Sequence, residues 1–200
     1  RLDPKNVEAL SGLMALAVQR ERPNEAIAYG ERILEAAPDQ VQVRMLLCDL
    51  YKATGRLNES LNHQEYLLEA LPTGHRYYPS ILFNAALVRL AMGRTAAAEA
   101  GFRRLIGMLP RFEKAHIALV QLLEREGRTA EAVEAARAAV AAAPGEPGLY
   151  YLLANTLLRA NRQDEARTVL EAAIAKGLEQ KEFYNILGAI ALDAREYERA

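Results

Sequence analysis

The feature that most constrains this chain is a period. Pro4, Pro38 and Pro72 fall 34 residues apart, and so do Pro110 and Pro144. The interval between them repeats one pattern: an amphipathic stretch, a short turn, a second amphipathic stretch and a closing proline. It is clearest at 113–144, where Gly127-Arg128-Thr129 separates a helical pattern over 114–126 from another over 130–142. A helix-turn-helix unit of this size cannot bury its own apolar face, so successive units must stack. The period therefore predicts an all-α solenoid of antiparallel helix pairs.

Repeats counted from Val7, Val41, Pro79, Glu113, Pro147 and Lys181 place like residues at like positions. The seventh place holds Leu13, Leu47, Ala85, Leu119, Leu153 and Leu187, and the eighth holds Met14, Cys48, Ala86, Val120, Ala154 and Gly188. The twentieth holds Ala26, Ser60, Ala98, Ala132, Ala166 and Ala200. Small side chains at fixed places let paired helices approach closely. Gly55, Gly93, Gly127 and Asn161 share the fifteenth place, where a residue tolerant of left-handed backbone ends a helix. The arginines that follow, Arg22, Arg56, Arg94, Arg128 and Arg162, read as solvated turn residues. Asn24, Asn58, Thr95, Thr129 and Asp164 read as N-caps of the second helices. Helices are expected at 5–20, 24–36, 41–54, 58–70, 77–92, 95–108, 113–126, 129–142, 147–160, 163–176 and 181–194.

These residues resemble a tetratricopeptide repeat array over essentially the whole chain. Asn24-Glu25-Ala26-Ile27-Ala28 and Tyr184-Asn185-Ile186-Leu187-Gly188 sit close to the family pattern. The fourth place, often aromatic in the family, holds Leu10, Arg44, Leu82, His116, Tyr150 and Tyr184, and repeat five closes on Lys176-Gly177-Leu178 instead of proline. The resemblance implies a right-handed superhelical solenoid. It divides into a tail of a preceding repeat at 1–6 and full repeats at 7–40, 41–74, 79–112, 113–146 and 147–180. A truncated sixth repeat occupies 181–200. On this reading the chain is a piece of a longer array, and the unpaired last helix exposes Leu187 and Ile190 for end-to-end self-association.

Pro72 and Pro110 are four residues further apart than the period allows, and the surplus lies near 75–78. It is either a longer loop or an extra turn opening repeat three, or a lip that meets a partner through Tyr77 or Tyr78.

Composition narrows the function classes. The chain is 51% hydrophobic and 26% charged with net charge −1, a foldable balance that gives no electrostatic case for nucleic acid or an anionic membrane. The apolar run from Leu149 to Leu158 is too short to span a bilayer. Cys48 is the single cysteine, so no internal disulfide forms. His63, His75 and His116 match no metal spacing. His116 reads as a satisfied packing histidine and Cys48 as a buried inert thiol. Glu25, Glu59, Glu131 and Glu165 complement helix N-termini. No glycine-rich phosphate loop is present, and Asn58-Glu59-Ser60, which fits the glycosylation pattern, falls on a packing position. The sequence therefore predicts no catalytic residue, no cofactor and no metal.

Binding is the expected function. The resemblance implies that the first helices line a concave groove. Helical geometry then aims Gln42, Met45, Leu46, Asp49, Ser80, Phe83, Asn84, Leu87, Lys114, Ile117, Ala118, Gln121, Tyr151, Leu152, Asn155 and Arg159 inward, with Glu182, Asn185, Ile186 and Ala189 from the last helix. Met45, Asp49, Phe83, Asn84, Leu87, Lys114, Ile117, Gln121, Tyr151 and Asn155 are the candidate partner-binding residues. The apolar members suit an interaction surface or packing against an adjoining part of the parent protein. Chaperone-binding members of the family hold a C-terminal carboxylate with lysines, asparagines and an arginine. Asn84 and Lys114 are in phase for that, but Met45, Asp49 and Ala118 are the wrong chemistry, so no carboxylate clamp is expected. The leading expectation is a scaffold that holds a protein or peptide segment. The alternative is an accessory or targeting region of a larger enzyme whose active site lies elsewhere. RNA binding by a related helical repeat would need a basic groove.

Overall fold

The computed structural model describes residues 6–193. Eleven α-helices and no strand occur among them, in the order α1 Val7–Gln19, α2 Pro23–Ala36, α3 Val41–Ala53, α4 Leu57–Ala70, α5 Tyr78–Ala91, α6 Thr95–Met108, α7 Glu113–Arg125, α8 Thr129–Ala142, α9 Pro147–Arg159, α10 Gln163–Ala175 and α11 Lys181–Asp193. Each expected helix is present within about two residues of its anticipated ends. Pro4 and Ala200, which the period also invoked, lie outside the described residues. The fold is all-α, built from successive helix pairs.

The chain forms two compact units, which divide inside α6 between Gly101 and Phe102. In the first, α1 packs on α2, α2 on α3, α3 on α4 and α4 on α5. In the second, α7 packs on α8, α8 on α9, α9 on α10 and α10 on α11, and α7 also touches α9 directly. The amphipathic spacing explains the pairing. In α7, for example, Ala115, His116, Leu119, Val120, Leu122 and Leu123 are buried, one continuous face of a helix.

The twentieth place lies in the core of each pair. Ala26, Ser60, Ala98, Ala132 and Ala166 are all fully buried. Ser60 keeps its hydroxyl satisfied by donating to the Cys48 carbonyl at 2.8 Å. Gly101 lies so close to α5 that a Cβ there would come within 2.9 Å of the Ala86 Cβ. The seventh place is buried at Leu47, Ala85, Leu119 and Leu153, but Leu13 on α1 is 39% exposed. No described helix covers that side of α1.

The turns between paired helices follow one design. The fifteenth-place residue has positive φ at Gly55, Gly93, Gly127 and Asn161, and also at Glu21. The arginine that follows donates its backbone N–H five residues back: Arg22 to Ala17, Arg56 to Tyr51, Arg94 to Arg89, Arg128 to Leu123 and Arg162 to Leu157. This is the Schellman closure of a helix. The same arginine's carbonyl accepts the first bond of the next helix, as from Ala26 to Arg22 and from Ala132 to Arg128. The arginines are thus the N-cap residues of α2, α4, α8 and α10, with no side-chain cap.

That corrects the expectation for Asn24, Asn58, Thr95, Thr129 and Asp164. They lie inside the first helical turn because the turn is too short to leave a separate capping residue. Three of the arginine side chains, while still reaching solvent, also carry ion pairs. Arg22, Arg128 and Arg162 pair with Glu25, Glu131 and Glu165 in the first turns of their own helices. The Arg162 hydrogen bond holds the Glu165 carboxyl below its ordinary range, with help from Arg137.

Two further expectations are revised. The surplus residues form a loop closed by bonds from His75 N–H to the Pro72 carbonyl and from Tyr78 N–H to the His75 carbonyl. Tyr78 then opens α5 at 1% exposure, so it cannot serve as a lip. Tyr77 is half-buried, with the Arg76 guanidinium 4.4 Å from its ring centroid. At the other end, of the two residues expected to be exposed, Ile190 is 3% exposed and Leu187 is half-buried, and Phe183 and Ile186 are also buried, as α11 packs on α10. The exposed large apolar side chains of α11 are Tyr184 and Leu192.

Candidate interaction surface

Seven of the ten candidate residues gather in two places, one in each unit. In the second unit, the contact of α7 with α9 leaves a cavity of about 350 Å³ lined by Ile117, Gln121, Glu124, Gly148, Tyr151, Leu152, Asn155, Thr156 and Arg159. It brings together four candidates: Ile117 and Gln121 from α7, Tyr151 and Asn155 from α9. Gly148 sits close to Glu113, whose Oε1 would lie 3.1 Å from a Cβ there.

Glu124 and Thr156 belong to this site although the groove pattern passed over them. Thr156 Oγ1 donates to Glu124 Oε1 at 2.9 Å, and Arg159 Nε lies 3.8 Å from Glu124 Oε2. They are 32 residues apart, so a link between like helices of neighbouring repeats was the available signal. Asn155 Nδ2 donates to the Tyr151 carbonyl at 2.9 Å, which fixes the amide against its own helix. The wall therefore offers apolar area (Ile117, Leu152, the Tyr151 ring) beside amides able to bond a peptide backbone in either direction. Tyr151 is 39% exposed and open to contact.

In the first unit, a cavity of about 30 Å³ is lined by Met45, Cys48 and Asp49 of α3, Gln64 and Leu67 of α4, and Ile81 and Asn84 of α5. Three candidates meet here: Met45, Asp49 and Asn84. Burial pushes the Cys48 thiol up to about 12, with the Asp49 charge adding to it. A protonated, buried thiol at this position is a packing group. Asp49 is exposed and pairs with Lys52 at 3.3 Å.

Phe83, Leu87 and Lys114 line neither cavity. Phe83 is half-buried on α5, Leu87 is exposed one turn later, and Lys114 is exposed in the first turn of α7. Ile186, placed in the groove by the same pattern, is buried instead.

The other singled-out groups have structural roles. His116 is 3% exposed and its Nε2 donates to the Pro110 carbonyl at 2.8 Å. No group of three or more His, Cys, Asp or Glu side chains among the described residues is placed to hold a metal ion. No described helix is long and apolar enough to cross a membrane.

Comparison with known proteins agrees with this architecture. The fold is similar to a crystal structure of MamA, with a TM-score of 0.64 and 18% identity over 82% of this chain and 94% of that one. A MamA fragment from Desulfovibrio magneticus RS-1 aligns at 0.65 and 14% identity over 90% and 99%. YrrB, described as a TPR protein with an unusual peptide-binding site, aligns at 0.60 and 16% identity over 96% and 93%. No curated protein sequence matches the chain. One tetratricopeptide repeat family model matches residues 17–78 and 123–190, and a second matches 83–147. With the period, the buried twentieth place and these matches in agreement, the chain belongs to the tetratricopeptide repeat family.

Proposed function

We propose that this protein is an interaction module that holds a segment of a partner protein against the face shared by α7 and α9. The observation that carries the reading is the cavity between these helices, where Ile117, Tyr151 and Leu152 supply apolar contact beside the amides of Gln121 and Asn155. Such a wall suits an extended or helical peptide, whose side chains need apolar pockets and whose backbone needs donors and acceptors. The likeness in fold to YrrB, described as having a peptide-binding site, supports the same reading.

The test begins with peptides selected from a random display library on the purified chain. Truncating a central tyrosine anchor costs about 2 kcal/mol, roughly a thirtyfold loss of affinity. Tyr151→Ala is therefore expected to weaken the selected peptides by that factor while the helix content stays unchanged, and Ile117→Ala to weaken them less. Selected peptides that bind both variants as tightly as the parent would remove the α7–α9 face from consideration.

A further inference from the structure

Two places of the repeat break their pattern at the same spot in the fold. The twelfth place holds Val18, Lys52, Leu90, Leu158 and Leu192, but Glu124 in the fourth repeat. The tenth holds Leu16, Leu50, Val88, Leu122 and Ile190, but Thr156 in the fifth. Glu124 is the one acid at its place, and Thr156 the one polar residue at its own. These two exceptions meet. Thr156 is fully buried and donates through Oγ1 to Glu124 Oε1 at 2.9 Å, and the Glu124 side chain is 18% exposed. Aliphatic residues serve both places in other repeats, so stacking the helices does not call for a carboxylate here. A half-buried carboxylate carries a desolvation cost that an opposite charge on a ligand offsets.

Glu124 lines the cavity between α7 and α9. At about 350 Å³ this cavity lies within the range of ligand clefts, roughly 300–1,000 Å³. Its walls are reachable: Tyr151 and Gln121 are exposed, and Ile117 and Leu152 are half-buried. Glu124 Oε2 stands 3.8 Å from Arg159 Nε, beyond hydrogen-bond length, and the Arg159 side chain is 71% exposed. Such a pair is worth little and yields to a competitor. A second carboxylate stands at the rim, where Glu113 Oε1 lies 3.1 Å from the position of a Cβ on Gly148. Two carboxylates therefore oppose one guanidinium around the cavity. Asn155 commits its Nδ2 to the Tyr151 carbonyl and keeps its Oδ1 as an acceptor.

We propose that Glu124 sets the specificity of this face by taking one basic side chain, lysine or arginine, of the bound partner segment. The aliphatic stem lies along Ile117 and Leu152. The cation meets the Tyr151 ring and replaces Arg159 at Glu124 Oε2. This rests on the reading of the α7–α9 face as the place that holds a partner segment, and it adds the charge that segment carries.

The probes are the peptides selected from a random display library on the purified chain. They are expected to share one lysine or arginine. Norleucine in its place keeps the stem and removes the charge. That replacement is expected to weaken binding to the parent roughly tenfold, the factor that one hydrogen bond to a charged group supplies, and to leave binding to Glu124→Gln unchanged. A glutamine oxygen still accepts from Thr156, so Glu124→Gln is expected to keep the parent's urea midpoint, which separates the reading of charge from a structural tie. Arg159→Ala removes an exposed side chain and with it the competing cation. It is expected to tighten the basic peptides, most of all at low salt.

Selected peptides with no shared basic residue, norleucine peptides that bind the parent equally, or a basic preference that survives Glu124→Gln would each overturn the proposal. So would basic peptides that Arg159→Ala loosens or leaves unchanged. Its failure is distinct from failure of the wider reading. Peptides that lose affinity on Tyr151→Ala whatever their charge leave the α7–α9 face standing while the role of Glu124 falls.

Discussion

Glu21 has φ of 56° at the place where the other turns use Gly55, Gly93, Gly127 and Asn161. A side chain with a Cβ is strained in left-handed backbone, at about 1–3 kcal/mol, and glycine is not. Glycine's own entropy cost offsets part of the gain, so Glu21→Gly is expected to raise stability by about 1 kcal/mol, read as a higher urea midpoint at unchanged slope. A lower midpoint would show that the Glu21 side chain contributes more than its backbone costs. Cys48 gives a second check at this scale. With its thiol pushed up to about 12 and its side chain buried, it should resist a thiol-labelling reagent at about pH 8 in the folded protein and react at once in denaturant. Fast labelling of the native state would show that the α3–α4 pair opens. The burial of Cys48 was legible because its place in the repeat demands a small packed residue. The strain at Glu21 was not, because nothing in a glutamate marks left-handed backbone except its register with the glycines of other repeats.

Between elements, side chains of unlike type do the same work. At the fourth place, Arg44 donates to the Pro38 carbonyl at 3.1 Å through Nη2, His116 to the Pro110 carbonyl at 2.8 Å, and Tyr150 to the Pro144 carbonyl at 3.1 Å. Each ties the first helix of a repeat to the proline that closes the one before. By residue type this place departs from the family pattern, yet its function is kept by any donor long enough to reach back six residues. A second tie joins three helices. Tyr51 of α3 donates to Glu31 of α2 at 2.9 Å, and His63 of α4 meets the same carboxylate through Nε2 at 3.0 Å. Arg44 can only donate, so His63 Nδ1, 3.2 Å away, accepts and the ring proton sits on Nε2. Burial and the bond to Glu31 push the Tyr51 hydroxyl up to about 12. In the unfolded chain a tyrosine titrates near 10. Because the folded value is the higher one, the stabilisation is complete below about pH 10 and is lost as pH rises towards 12. Chemical denaturation across that window is expected to show a steeper loss in the parent than in Tyr51→Phe. Parallel curves would mean that Tyr51 titrates as it does in the unfolded chain. None of these ties was visible beforehand, since their partners are backbone carbonyls or side chains one repeat away.

Within each unit the helices pack on their neighbours in sequence, which is why the helix boundaries could be read so far in advance. In a repeat protein each pair is stabilised by itself and by the pair beside it, so local periodicity carries nearly all the fold. What periodicity cannot carry is exception. The four surplus residues before α5 have meaning only once their loop is seen to deliver Tyr78 into the core. The same linear logic governs how the protein yields. The chain forms two compact units, and Ala132 lies in the second, fully buried on α8, which packs on α7. Ala132→Leu overpacks that crossing at about 1–3 kcal/mol. In a protein with one shared core the loss would be felt by every amide. Here stability is local, so hydrogen exchange is expected to quicken through α7, α8 and α9 while the amides of α1 to α4 keep the protection they have in the parent. Uniform acceleration along the chain would show instead that the two units unfold as one cooperative body. The mirror substitution, Ala26→Leu between α1 and α2, should move the loss of protection to the first unit and leave α7 to α10 as they were, which makes the pair a test of locality and not of one weak helix.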